Sequence, residues 1–257
     1  MRKEQTGMEN ANLFEGMTSL SALFAAMAAG TTDRKIERVL FARERTKSKA
    51  RQLAFLQHRA AGYHFPIELV PLAEIEAIAT GNSHGGVVAF TTDRTTPMLT
   101  EAVLPPDGFF VMLDGVEDPY NFGYAVRSLY AAGVSGVVLP PRNFLGAAGL
   151  VARASAGASE QMPFFVTATA EEAVAVFRGA GYRIVCADTA HAVSVYDADL
   201  SLPLLLIVGG EKRGIRADLL AAADAVVKLE YARPFDAALS AASAATILAF
   251  EVYRRNK

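Results

Sequence analysis

The sequence predicts an α/β protein, with a parallel sheet covered by helices on both faces in its C-terminal part and a smaller α/β domain ahead of it. Three observations predict this. Short apolar runs rich in Val, Ile and Leu alternate with stretches of helical period along most of the chain, which is the pattern of strands buried on both faces and joined by helices. A polar, Pro-containing stretch without period, residues 92–106, separates two such alternations. A composition of 52% hydrophobic and 20% charged residues describes a globular protein with a sizeable core.

Taken in order, the first domain spans residues 12–91. "LSALFAAMAAG" reads as helix and "IERVLFA" as strand. A basic helix over about residues 47–61 leads to the short apolar "FPIELVP", a brief helix "LAEIEAIAT", and the turn and strand of "GNSHGGVVAF". After the linker at 92–106, the second domain, 107–257, opens on the strand "FFVMLDG". A helix over about 120–132 follows, then the strand "GVVLP", a helix over about 146–156, and a strand at "MPFFV". The helix "AEEAVAVFRGAG" precedes the strands "YRIVCAD" and "LPLLLIVGG". The helix "RADLLAAAD", the strand "AVVKLEY" and a long final helix complete the chain. Asp236 suits the N-cap of that last helix, and Arg254, Arg255 and Lys257 suit its C-terminal dipole.

Several function classes are disfavoured. No apolar run approaches the 18 or so residues of a membrane span, and the polar N-terminus resembles no export signal, so a cytoplasmic protein is expected. Cys186 is the only cysteine, which rules out an internal disulfide and reads as a packed thiol in a buried strand. His58, His64, His84 and His191 are scattered without ligand spacing, so no metal is expected. No P-loop, GxGxxG or GxSxG occurs. The net charge of −2 argues weakly against nucleic acid. Between Arg34 and Arg59, however, nine Lys or Arg and two acidic residues give a local net of +7. Arg43, Arg45, Lys47, Lys49 and Arg51 are either a solvated face or a patch that collects phosphate.

Ligands of parallel sheets sit beyond the C-terminal strand ends, which here carry the loops "DGVEDPYN", "CADTAHAVS" and "GGEKRG". In the helix after the first loop, Asp118 and Pro119 suit the cap and first turn. Phe122, Val126, Leu129 and Gly133 form its core face, leaving Gly123, Arg127 and Tyr130 on another. Helical side chains lean toward the N-terminus, so Arg127 lies back over Gly123 toward Asn121. A guanidinium, an amide and free helix N–H groups suit an oxyanion or phosphate; an arginine snorkelling to water beside an ordinary Asx turn is the other reading. In the third loop, Gly209, Gly210 and Gly214 let backbone approach a ligand closely. Glu211 either bonds a substrate group or pairs with Lys212 or Arg213.

"LDGVEDPYNFGYAVRSLYAAGVSGVVLP", "LLLIVGGEKRGI" and "ALSAASAATILAFE" together resemble the three motifs of the TrmH/SpoU ribose methyltransferases, members of the knotted SPOUT superfamily, over about residues 105–255. "HGGVVAF" resembles the end of the small ribosomal-protein-like RNA-binding domain that many members carry. The resemblance implies a trefoil knot, S-adenosylmethionine bound within it, a homodimer, and methylation of a ribose 2′-hydroxyl. It implies catalytic roles for Asn121, Arg127, Glu211 and Ser240, and cofactor contacts at Gly209, Gly210, Gly214, Ile215, Leu229 and Leu239. It also favours the phosphate reading of the basic stretch, and ribosomal over transfer RNA. The chain departs from the family in reading Ala238-Leu239-Ser240 for Ser-Leu-Asn, and Leu229-Glu230-Tyr231 for Ile-Pro-Met. An RNA-binding protein that has lost catalysis is therefore the alternative, with a tRNA enzyme beside it.

Overall fold

The computed structural model describes residues 12–80, 83–140, 147–210, 213–235 and 237–257. They fall into two compact units: residues up to Thr95 with those between 147 and 161, and residues 96–140 with Met162–Lys257.

In the first unit, four strands form a mixed sheet in the order β1-β4-β2-β3: β1 (Leu13–Glu15), β4 (Val87–Thr91), β2 (Ile36–Ala42) and β3 (Ile67–Val70). Only β2 and β3 run parallel. Helices α1 (Gly16–Ala29), α2 (Ala50–Tyr63) and α3 (Leu72–Ile78) fill the connections. Phe14, Phe24, Phe41 and Leu56 make the core, and Phe24 meets the rings of Phe55, Tyr63 and Phe65.

The helices α5 (Ala148–Ala154) and α6 (Ala158–Gln161) also belong to this unit. The sequence places that segment in the domain 107–257, and this is a correction. Its cause is packing that local periodicity does not encode. Ala152 sits in the core with Phe14 and Phe24. At Gly149 a Cβ would fall 1.8 Å from the Leu13 carbonyl oxygen, so only glycine permits the approach. Arg153 pairs with Glu15 at 2.7 Å. The buried Arg34 and Glu160 pair at 3.1 Å, and Arg34 donates further bonds to Asn12 Oδ1 and the Thr92 carbonyl. Such a pair is well satisfied and is costly to break from one side only.

The stretch 92–106 does not behave as a free linker either. Lys35 and Thr92 exchange hydrogen bonds within the first unit. In the second unit Leu99 is buried in the core, and its N–H donates to Val166 O at 2.8 Å.

The second unit is a seven-stranded, wholly parallel sheet in the order β7-β6-β5-β10-β8-β11-β9. Its strands are β5 (Phe109–Asp114), β6 (Gly136–Leu139), β7 (Phe164–Val166), β8 (Arg183–Ala187), β9 (Val193–Ser194), β10 (Leu204–Gly209) and β11 (Ala225–Lys228). Leu204 to Val208 are each no more than 2% exposed, so both faces of the central strand are covered. One face packs under α7 (Ala170–Gly179) and α8 (Ala217–Ala221), through Phe110, Met112, Ile184, Ile207, Phe177 and Leu219. Elsewhere α4 (Pro119–Ala131) and α9 (Ala241–Arg255) pack on one another, and α9 meets β10. Cys186 is buried in the first of these layers, and burial pushes its thiol up to about 12, which fits an inert packed residue.

The chain leaves β5 for β6 and β7, then returns to the other side, and β10 fills the place between β5 and β8. Strand direction and register then bring four strand ends to one edge. Asp114 stands opposite Gly209, Val208 opposite Ala187, and Ala187 opposite Val227.

Candidate active site

The loops that leave this edge cross at backbone distance. The N–H of Gly210 donates to Asp114 O at 2.6 Å, and that of Gly214 to Gly210 O at 3.0 Å. A Cβ at Gly210 would lie 2.0 Å from Gly115 O, and one at Gly209 would lie 2.5 Å from the carbonyl carbon of Gly214. Both glycines are therefore required by steric contact. Gly214 adopts φ 62°, which favours glycine independently.

Beside this crossing lies a cavity of about 230 Å³, within the second unit. Gly209, Gly210, Gly214, Leu229 and Leu239 all line it. Ile215, the sixth cofactor candidate, is instead buried in the core with Ile207, Cys186 and Leu219. Val208, Ala241, Ala244 and Leu248 give the cavity an apolar wall, while Asp188, Thr189, Lys228 and Tyr231 supply its polar part. Asp188 is held in place because its Oδ1 accepts the N–H groups of Thr189 and Ala190 at 2.7 and 2.9 Å. Asp188, Thr189, Ala244 and Leu248 were not singled out by sequence, and Tyr231 was noted only as a departure from the family's strand end. Membership of the loop "CADTAHAVS" was the one available signal for the first two; Ala244 and Leu248 need the tertiary fold.

Asp118 caps α4 through Oδ1, which accepts the Asn121 N–H at 2.8 Å, and Pro119 follows at the first position. Asn121 is half-buried in that turn. Arg127 is exposed and makes no ion pair or hydrogen bond among the described residues. The expected faces need two corrections. Gly123 is buried with Phe122, Val126 and Leu129, because the covered stripe is wider than the predicted one. Gly133 is exposed, at φ 79° just past the end of the helix.

Ser240 caps α9, with its Oγ accepting the Ser243 N–H at 3.2 Å. The two hydroxyl oxygens lie 3.0 Å apart. Ser240 thus serves the helix end and directly follows Leu239, which lines the cavity. Glu211 and Asp236 lie outside the described residues. Asp114, half-buried at the end of β5, has its carboxyl pushed above the ordinary value by burial; the Arg216 guanidinium opposes this and Asp218 adds to it.

Of the basic candidates in the first unit, two serve local structure. Arg43 donates to Leu69 O at 3.0 Å, and Lys49 to Gly85 O at 2.7 Å. Arg45, Lys47 and Arg51 are exposed, with no side-chain partner among the described residues. His84 is buried and accepts the Gly86 N–H through Nδ1, a structural role. No group of metal-ligating side chains occurs among the described residues.

A parallel sheet with a glycine-walled cavity at its C-terminal edge defines the class of α/β proteins that bind a ligand there. The model of the SpoU rRNA methylase family matches residues 108–250, and the chain belongs to this family of RNA methyltransferases. It is 29% identical over 229 residues to YacO of Bacillus subtilis (strain 168), assigned to the TrmH family of tRNA/rRNA methyltransferases. That match covers 87% of this chain and 90% of the relative. It is 29% identical over 212 residues to the 23S rRNA (guanosine-2′-O-)-methyltransferase RlmB of Burkholderia sp, covering 81% of this chain and 85% of that one. The fold matches that of the SpoU methyltransferase AviRb from Streptomyces viridochromogenes, solved in complex with AdoMet. The TM-score is 0.78 at 21% identity, over 99% of this chain and 97% of that chain.

Proposed function

We propose that the chain transfers a methyl group from S-adenosylmethionine to a ribose 2′-hydroxyl of RNA, with large-subunit ribosomal RNA as the favoured substrate. The observation that carries this reading is the cavity at the sheet edge, which five of the six residues assigned to the cofactor line. Its chemistry suits the donor: apolar side chains for a heterocycle, backbone made accessible by Gly209 and Gly210, and the Asp188 carboxylate for a cationic group. The knot implied by the family is part of the same reading. RlmB relatives favour ribosomal RNA, as does a separate first unit bearing Arg45, Lys47 and Arg51 on its surface.

When bound, S-adenosylmethionine supplies a methyl group on a sulfonium that departs as a neutral thioether. The protein holds the acceptor in line with that group, which lowers the barrier chiefly by orientation. Arg127 binds the RNA phosphate beside the target ribose and stabilises negative charge on the 2′-oxygen. A guanidinium is a permanent cation and a poor proton acceptor, so a phosphate oxygen or water receives the hydroxyl proton. Asn121 and Glu211 fix the ribose and the arginine. Ser240 holds the start of α9, and with it Leu239, against the cavity.

The test is transfer of labelled methyl from S-adenosylmethionine to total RNA of cells deleted for the gene. We expect label in large-subunit ribosomal RNA at one alkali-stable linkage. With Arg127→Ala we expect a loss of roughly 100-fold or more in kcat, at unchanged cofactor affinity. A folded protein that labels no RNA, free or in ribosomal precursors, would instead be an RNA-binding protein.

A further inference from the structure

The segment between β11 and α9 leaves two aromatic rings open beside the cavity. Tyr231 is 41% exposed and Phe235 is 58% exposed. They meet edge to face, with centroids 5.9 Å apart and planes at 61°. The pair is anchored, because the Tyr231 hydroxyl oxygen accepts the Leu239 N–H at 3.2 Å. Tyr231 and Leu239 both line the cavity, so the rings are continuous with its rim. Arg233, between them in sequence, is exposed.

Single exposed apolar residues are ordinary on a protein surface. Two rings in contact, one fixed to the wall of a ligand cavity and flanked by a cation, are a more specific arrangement. Planar faces bind any nucleobase by stacking, and a neighbouring guanidinium adds attraction for the backbone phosphate. Sequence-specific recognition of RNA favours single-stranded loops and bulges, whose splayed-out bases present a face that aromatic side chains cover.

We propose that Tyr231 and Phe235 form a stacking platform for an unstacked nucleobase of the RNA substrate, at the mouth of the cavity that holds the methyl donor. This rests on the function proposed above. Phe235 does not line the cavity, so altering it separates recognition of the base from binding of the cofactor.

The chain contains no tryptophan, so Phe235→Trp places a single indole at the platform. Its emission is followed while ribosomal RNA is titrated in the presence of S-adenosylhomocysteine, and RNA binding is measured independently by filter retention. Quenching that saturates together with retention is expected. Phe235→Ala is expected to raise KM for RNA roughly tenfold or more, with S-adenosylmethionine affinity unchanged by calorimetry. Phe235→Tyr should restore the parent KM. Emission that stays constant while RNA is retained overturns the platform, as does an unchanged KM in Phe235→Ala. Emission that changes with protein concentration alone marks the rings as a contact between copies of the chain and overturns it too. If the parent protein neither retains nor methylates RNA, the proposed function fails and the platform fails with it; methylation by the parent, with an indole in Phe235→Trp that stays silent while RNA is retained, removes the platform alone.

Discussion

Gly210 shows how one residue type can decide the whole site. Its missing side chain lets the loop after β10 cross the loop after β5, with the nearest backbone oxygen 2.0 Å from where a Cβ would stand. Gly210→Ala must displace one of two main chains, and we expect a stability loss of about 3 kcal/mol or more together with loss of S-adenosylmethionine binding. Urea unfolding and calorimetry measure the two effects. Gly62→Ala is the control: it lies in α2 with nothing within 4 Å of its Cβ direction, and should stabilise by up to about 1 kcal/mol. If Gly210→Ala behaved like the control, the crossing would have no part in shaping the cavity. At this scale much of the site was legible. Glycines after an apolar strand, and Asp-Pro ahead of Asn121, have physical meanings that need no neighbours. Tyr231 and Asp188 had no such local signature. Their place on the cavity follows from strand register and from a segment that returns to it from elsewhere in the chain.

Among the elements, α9 carries its own acid-sensitive clasp. Glu251 is buried and accepts hydrogen bonds from Nε and Nη2 of Arg254 and from Nε of Arg255, each at 2.8 Å. Arg255 in turn donates to Ala198 O and Tyr196 O, and Asn256 to Leu200 O, so the end of α9 holds the segment after β9. The sequence suggested only that these arginines complement a helix dipole. Arg254 first, and Arg255 with it, holds the Glu251 carboxyl down at about 2, against an ordinary value of 4.5. A depressed folded-state value means that the clasp contributes fully above pH 4.5 and is lost as pH falls toward 2. Glu251→Gln should flatten the dependence of the urea midpoint on pH across that window. A parallel slope in parent and variant would place the acid sensitivity elsewhere. Elements of eight or more residues were mostly readable from period, within a few positions. β1 and β9 were missed because three and two residues carry no measurable alternation. The correction of α5 and α6 has a different source: periodicity says that a helix has a buried face, and leaves open which core receives it. Gly149 against Leu13 and Glu160 against Arg34 settle that only once the strands have assembled.

For the whole molecule, the second unit leaves one apolar surface unexplained by its own core. α4 exposes Tyr124 and Tyr130, at 51% and 42%. α9, packed on it, exposes Ile247, Phe250 and Tyr253 at 40%, 43% and 47%. The α9 residues recur every three positions, so they share one face of the helix, and Phe250 and Tyr253 touch edge to face. Water-facing aromatic and aliphatic groups gathered on two adjoining helices favour association, and we propose a second copy of the chain as the partner that covers them. Sedimentation equilibrium should then return twice the chain mass of 27.4 kDa. Phe250→Glu changes a side chain that the single chain leaves exposed, so the monomer should fold and keep its circular dichroism. In a self-complementary interface the substitution acts on both copies, and should weaken association on the order of tenfold or more. A parent protein that sediments at the chain mass would leave this face without a second copy. A variant as dimeric as the parent would move the interface away from α9.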